Sequence, residues 1–225
     1  MNFNFLKTFL KYKKYQYVSS KKDNQKYKKN FEISYYIDKL RKNGFVIIDN
    51  FFTKEKCKKI RENIDGFINS NPKLIWVDKN KSDHRIYGAE NISNEIKDLL
   101  KDFISFTKLI GQNYTQQDID LYMMMANKTE YKIRNGGSGD GWHKDSYSKQ
   151  FKSILYLNDV DENNGPFQII NKSNSNLFML NLFFKLKNKF PSTRFSNDEI
   201  SNLLKIKKKQ LTEVKGSAGS LILVD

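Results

Sequence analysis

The residues whose types and spacing most directly suggest chemistry are His143 and Asp145. The chain holds only two histidines, His84 and His143. His143 lies in Gly141-Trp142-His143-Lys144-Asp145-Ser146, directly after the glycine-rich stretch that begins at Asn135. In an extended segment, side chains two residues apart point to the same side. An imidazole and a carboxylate would then meet at one point in space. Such a pair supplies two of the three protein ligands of the facial triad that holds non-haem iron(II), which leaves positions open for a co-substrate and O₂. Alone, His-x-Asp is weak evidence, because the same pair also suits an ordinary surface turn.

The surroundings narrow the choice. The stretch GSGDGWHKDSYSKQFKSILYLNDVDENNGPFQII (residues 137–170) resembles the phytanoyl-CoA dioxygenase family of iron(II)/2-oxoglutarate oxygenases. The matching parts are a glycine-rich lead into Trp-His-x-Asp-Ser, a strand ending Leu-x-Asp-Val, and an Asn-Gly-Pro turn into the next strand. KNGFVIIDNFFTKEKCKKIRENID (residues 42–65) is similar to the family's opening helix–strand–helix. The resemblance spans roughly residues 33–225. It implies an α+β fold, with a double-stranded β-helix (jelly-roll or cupin-like) core buttressed by N-terminal helices.

It also implies a dioxygenase that hydroxylates a small-molecule substrate while 2-oxoglutarate becomes succinate and CO₂, with Fe(II), 2-oxoglutarate and O₂ taking part. Carried over residue by residue, His143 and Asp145 are the first two metal ligands. An acid at Asp145 argues against the halogenating relatives, which carry a small residue there. Lys152 and Tyr156, on one strand face, are candidates to hold 2-oxoglutarate through an ammonium–carboxylate contact and a phenol hydrogen bond. Arg85 and Arg134 are candidates to meet an anionic group of the substrate. Asp159, Asn164, Gly165 and Pro166 match the family but read as turn and fold residues. The family's third ligand, a second His, follows a segment like Gly-Ser-Ala-Gly-Ser-Leu-Ile-Leu-Val-Asp, and this sequence stops at Asp225. The resemblance therefore implies a C-terminally truncated domain with its last strands missing, inactive for want of the distal His. His84 is not expected to substitute, since it lies in the helical half of the chain.

The elements that must position these residues can be read from periodicity. Ile33, Tyr36, Ile37 and Leu40 recur at helical spacing, and Asn43-Gly44 is a helix stop. Phe45 to Ile48 reads as a buried strand. Thr53 can cap a second helix with Cys57, Ile60 and Ile64 inward, which makes Cys57 a core residue rather than a nucleophile. Ser93 can cap a third, which Gly111 is expected to close. Strands are expected at 121–126, 129–133, 151–160, 166–170, 211–215 and 220–224. A helix is expected at 177–190, and Ser196 with Glu199 forms a capping box for another.

Composition limits the rest. The 225 residues suit one domain, expected at 31–225, behind an arm at 1–30. A single cysteine excludes an internal disulfide. No apolar run approaches the ~20 residues needed to span a bilayer, nor does the N-terminus read as a signal peptide, so a cytoplasmic location is expected. The net charge is +15, of which the first thirty residues contribute +8. Only five of the forty basic residues are Arg, the side chain that favours base and bidentate phosphate contacts, so nucleic acid is not an expected partner. The basic arm is the segment that could contact an anionic surface. Two rival readings remain at this point: a non-catalytic β-helix binding module, and a basic-arm protein that binds an anionic surface.

Overall fold

The computed structural model describes residues 31–120, 123–130, 141–145, 150–175, 193–207 and 210–225, together with Lys7, Leu10, Phe178 and Leu182. The N-terminal arm, the strand expected at 129–133 beyond Glu130, Arg134, most of the glycine-rich turn and most of the helix expected at 177–190 lie outside the described residues.

Helix α1 (Phe31–Asn43) buries Ile33, Ile37 and Leu40, and Gly44 ends it with a left-handed φ of 88°. Strand β1 (Phe45–Ile48) follows directly. Helix α2 (Lys54–Ser70) starts where Thr53 Oγ1 accepts the Lys56 N–H at 3.2 Å, and it buries Cys57 and Ile60. Helix α3 (Asn94–Thr115) is capped by Ser93, whose Oγ accepts the Ile96 N–H at 3.1 Å. Gly111 does not close this helix. The helix runs on to Thr115 and ends at Gln116, which takes the left-handed conformation at φ 58°. Gly111 serves packing instead: a Cβ there would lie 2.7 Å from the Ile119 side chain and 2.8 Å from that of Phe151.

A second departure concerns residues 83–87. They form strand β3 (Asp83–Tyr87), between β2 (Trp76–Val77) and β4 (Met125–Thr129), inside the half of the chain expected to be helical. Asp78 makes the β2–β3 hairpin possible. Its carboxylate accepts the N–H groups of Ser82 at 2.6 Å and Asp83 at 2.8 Å, a local pattern that helical periodicity does not reveal.

The remaining elements are β5 (Trp142–His143), β6 (Lys152–Leu155), β7 (Phe167–Ile170), β8 (Arg194–Phe195), helix α4 (Asn197–Lys207), β9 (Leu211–Val214) and β10 (Leu221–Val224). The expected capping box opens α4: Glu199 Oε2 accepts the Ser196 N–H at 2.8 Å, and Ser196 Oγ accepts the Glu199 N–H at 3.2 Å. The fold is a mixed helix-and-strand one. Among the described residues no helix is long and apolar enough to cross a membrane.

Strand β10 lies between β1 and β6, antiparallel to both. Because strand side chains alternate, the sheet has two distinct faces. Leu221 and Leu223, with Val46, pack against Ile37, Leu40, Cys57, Ile60 and Leu100 of the helices. Ile222 and Val224 face the other way, with Phe45, Ile47, Ile154 and Tyr156, onto Ile169 of β7 and Val214 of β9. Lys152 is opposite Val224 in the β10–β6 register, so the register places it on this second face.

Two anchors hold β6 in place. The Asp225 carboxylate accepts the Tyr114 hydroxyl at 2.6 Å and the Gln150 N–H at 3.0 Å, while its own N–H donates to Gly44 O at 3.0 Å. At the other end, Gly219 donates to Tyr156 O at 2.7 Å and its carbonyl accepts the Phe52 N–H at 3.1 Å. Gly219 has φ 96°, and a Cβ there would overlap the Phe52 carbonyl. Gly219→Ala is therefore expected to destabilise the protein by about 2–4 kcal/mol, combining left-handed strain with a backbone clash. A denaturant titration checks it, and an unchanged midpoint would contradict the assignment.

Candidate metal centre

Strand β5 is only two residues long and owes its place to β8. Trp142 pairs with Phe195 and His143 with Arg194 in an antiparallel register. The Lys144 N–H extends the contact by donating to Thr193 O at 2.9 Å. Gly141, at φ 84°, turns the chain into the strand. Side chains alternate from there. Trp142 packs against the cluster of Ile170, Phe178, Leu182, Ile200 and Leu203, and His143 takes the opposite side.

His143 Nδ1 is 2.8 Å from the Gly141 carbonyl oxygen. A carbonyl only accepts, so Nδ1 donates to it, and Nε2 is turned toward Asp145. Fixing one ring nitrogen to a backbone carbonyl is how ligating histidines are commonly oriented. Nε2 lies 3.5 Å from Asp145 Oδ1. Two donors each about 2.1 Å from one ion stand about 3.0 Å apart at a right angle and about 4.2 Å apart across it. The observed separation falls between these limits, so the two atoms suit a shared metal ion.

Lys152 reaches the same carboxylate from β6, and its Nζ contacts Asp145 Oδ2. Partial burial pushes the Asp145 carboxyl up. The hydrogen bond and charge of Lys152, followed by the charges of His143 and Arg194, outweigh that and hold it below the usual carboxylate range. Asp145 is thus ionised, with Oδ2 capped by an ammonium and Oδ1 turned to the imidazole. Among the described residues no group of three or more His, Cys, Asp or Glu side chains converges.

The other residues singled out from the sequence have different employment. The Tyr156 hydroxyl donates to Val214 O at 2.8 Å and accepts the Phe167 N–H at 3.1 Å, which ties β6 to β7 and β9. It is placed as a strand tie rather than as an open donor toward a co-substrate. Arg85 Nε donates to Asp83 Oδ2 at 2.8 Å, and its guanidinium lies 4.6 Å from the centre of the Trp76 ring. That stacking and pairing neutralise the buried Asp83. Arg134 lies outside the described residues. His84 is on β3, opposite Val77 and Lys128, in a different sheet from His143. Asp159 accepts the Ala218 N–H at 2.8 Å and the Lys54 ammonium at 3.1 Å; Asn164 Oδ1 accepts the Asp161 N–H at 2.8 Å. Both are turn residues. Among the described residues, Arg194 is a charged neighbour of the centre that the sequence pattern does not single out. It lies fifty-one positions from His143 along the chain, and only the β5–β8 pairing brings the two together.

The sequence model of the family described as phytanoyl-CoA dioxygenase (PhyH) matches residues 40–225. No curated protein matches the chain. Among solved structures, the chain is similar to the non-heme alpha ketoglutarate dependent carbocyclase SnoK from nogalamycin biosynthesis, with a TM-score of 0.57 and 13% sequence identity. The match covers 84% of this chain and 73% of that one, a likeness of fold. The chain belongs to the phytanoyl-CoA dioxygenase family.

The Lys152–Asp145 contact has a direct consequence. Replacing the ammonium in Lys152→Met removes the main influence that lowers the Asp145 carboxyl and leaves burial, which raises it. A carbon-13 NMR titration of the Asp145 carboxyl is expected to show its midpoint moving to higher pH in the variant. A midpoint that stays in place would mean the two side chains do not pair in solution.

Proposed function

We propose that this member of the phytanoyl-CoA dioxygenase family is an iron(II)- and 2-oxoglutarate-dependent oxygenase that hydroxylates a small molecule. In this reading residues 31–225 are the catalytic domain, and the strands are laid out as a double-stranded β-helix. The observation that carries the reading is the meeting of His143 Nε2 and Asp145 Oδ1 at 3.5 Å, with the imidazole already oriented by Gly141. These two atoms would hold the ion. When bound, the iron would supply the oxidative chemistry, coupling conversion of 2-oxoglutarate to succinate and CO₂ with hydroxylation of a C–H bond.

The chain's own residues have separable tasks. The Gly141 carbonyl accepts from His143 Nδ1 and orients the ring, so that Nε2 is turned toward Asp145. Lys152 caps one carboxylate oxygen of Asp145 and leaves the other for the ion. Its ammonium, held beside the ion site, is also placed to meet a carboxylate of 2-oxoglutarate. Trp142 keeps β5 seated on the α4 side of the molecule, so the ligating residue next to it is carried on a packed strand rather than a loose turn.

The test is an anaerobic titration with iron(II) and 2-oxoglutarate, which reads the visible charge-transfer band of the iron–oxoacid chelate. Asp145→Ala is expected to weaken formation of the band by more than about 100-fold, since a ligand is lost outright. A band equal in the variant and the parent chain would overturn the assignment.

A further inference from the structure

The basic segment at residues 1–30 has no task in the site described above. It carries nine Lys, no Arg and a single Asp, interleaved at its start with Phe and Leu. Read at helical spacing, residues 3–17 divide into two sides. Phe3, Leu6, Leu10 and Tyr17 recur at intervals of three, four and seven, and Phe5, Phe9 and Tyr12 run beside them at intervals of four and three. Lys7, Lys11 and Lys14 fall together on the other side, again four and three apart. Lys13 interrupts the apolar side, where a lysine can lay its stem along apolar surface and keep its ammonium in water.

The described residues agree with that division. Lys7 and Leu10 are both helical, and Leu10 is 57% exposed, so its apolar side chain stands largely in water. Helix α1 continues the same chemistry on its outer side. Phe31 is 92% exposed, and Tyr35, one turn on, is 50% exposed. The Lys39 ammonium lies 5.4 Å from the centre of the Tyr35 ring. The acids of this helix are engaged: Glu32 accepts the Tyr36 hydroxyl at 3.3 Å, and Asp38 lies 4.0 Å from the Arg41 guanidinium.

An apolar side flanked by lysines is matched by a surface that offers hydrocarbon and negative charge together, which is the interface of an anionic bilayer. A nucleic acid would satisfy the lysines and leave Leu6 and Leu10 in water, and the segment lacks the Arg that grips phosphate through two hydrogen bonds. A second copy of the chain is opposed by charge, since residues 31–225 carry +7 and the segment +8. We propose that residues 3–17 dock flat on an anionic lipid surface, with their Phe and Leu side chains among the acyl chains, Lys7, Lys11 and Lys14 at the headgroups, and Phe31 of α1 reaching the same surface. Nothing in this depends on the metal reading.

The experiment mixes the full chain with vesicles of phosphatidylcholine alone, or with about 30% phosphatidylserine, and reads binding by cosedimentation. The thermal midpoint shows that each variant keeps the fold. The parent chain is expected to bind the mixed vesicles at least about tenfold more tightly than the neutral ones. Each Lys near an anionic leaflet is worth roughly fivefold, so Lys7→Gln with Lys11→Gln weakens binding by about tenfold or more. Phe9→Ser with Leu10→Ser leaves the charge unchanged and also weakens it by about tenfold or more. Phe31→Ser weakens it by about threefold. Poly(U) is titrated in parallel as a nucleic-acid probe. A parent chain that binds poly(U) but not the mixed vesicles overturns the proposal in favour of a polyanion. Mixed-vesicle binding that is unchanged in Phe9→Ser with Leu10→Ser also overturns it, since charge alone would then account for adsorption. Equal binding of the parent chain to neutral and mixed vesicles contradicts the role given to the lysines.

Discussion

Strand β10 has no side open to water, and much of the molecule follows from that. Leu221, Ile222 and Leu223 are each 0% exposed, although they alternate between opposite faces of the sheet. A strand buried on both faces needs cover on both, each such side chain contributing roughly 1.5–3 kcal/mol only when it is fully removed from water. Helices α1, α2 and α3 cover one face, and β7 and β9 cover the other. A register slip of one residue would exchange the two sets of contacts, so the pairing of β10 with β1 and β6 is tightly specified. That pairing sets Val224 against Lys152, and Lys152 is the residue that reaches Asp145. The apolar constraint and the polar centre are thus joined through one strand position.

The polar centre is built by opposition. His143 and Trp142 are adjacent in sequence and point to opposite sides, so core packing of the tryptophan presents the imidazole. The Gly141 carbonyl fixes the ring, and Lys152 fixes one oxygen of the carboxylate. Neither partner occupies the two atoms that face each other. The result is a pair of donors whose competing hydrogen-bond options have been used elsewhere, which is the arrangement a preorganised ligand pair requires.

Much of this was legible in the sequence, for local reasons. The caps at Thr53 and Ser93 and the capping box at Ser196 and Glu199 are short-range hydrogen-bond patterns, and the structure forms each of them. The burial of Cys57 followed from helical spacing. What the pattern missed depends on partners far along the chain. Gly111 looked like a helix stop because glycine often is one, yet its role is to leave room for Phe151. Residues 83–87 form a strand through a hairpin that Asp78 closes. Arg85 and Tyr156 carry polar groups that could meet a ligand, but Asp83 in one case and two backbone groups in the other engage them first. Arg194 had no local signature, because its proximity to His143 exists only in the folded ladder. The membership in the phytanoyl-CoA dioxygenase family rests on the match over residues 40–225 and agrees with the resemblance of the His-x-Asp region.

The most direct test of the central claim uses the scarcity of histidine in this chain. With only His84 and His143 present, any imidazole nitrogen coupled to a bound paramagnetic ion comes from one of the two. The measurement is electron spin echo envelope modulation on the vanadyl(IV)-loaded protein, repeated for His143→Ala and His84→Ala. The account predicts a nitrogen coupling from one imidazole that disappears in His143→Ala and persists in His84→Ala. A coupling that survives His143→Ala, or its absence from the parent chain under saturating metal, would contradict it.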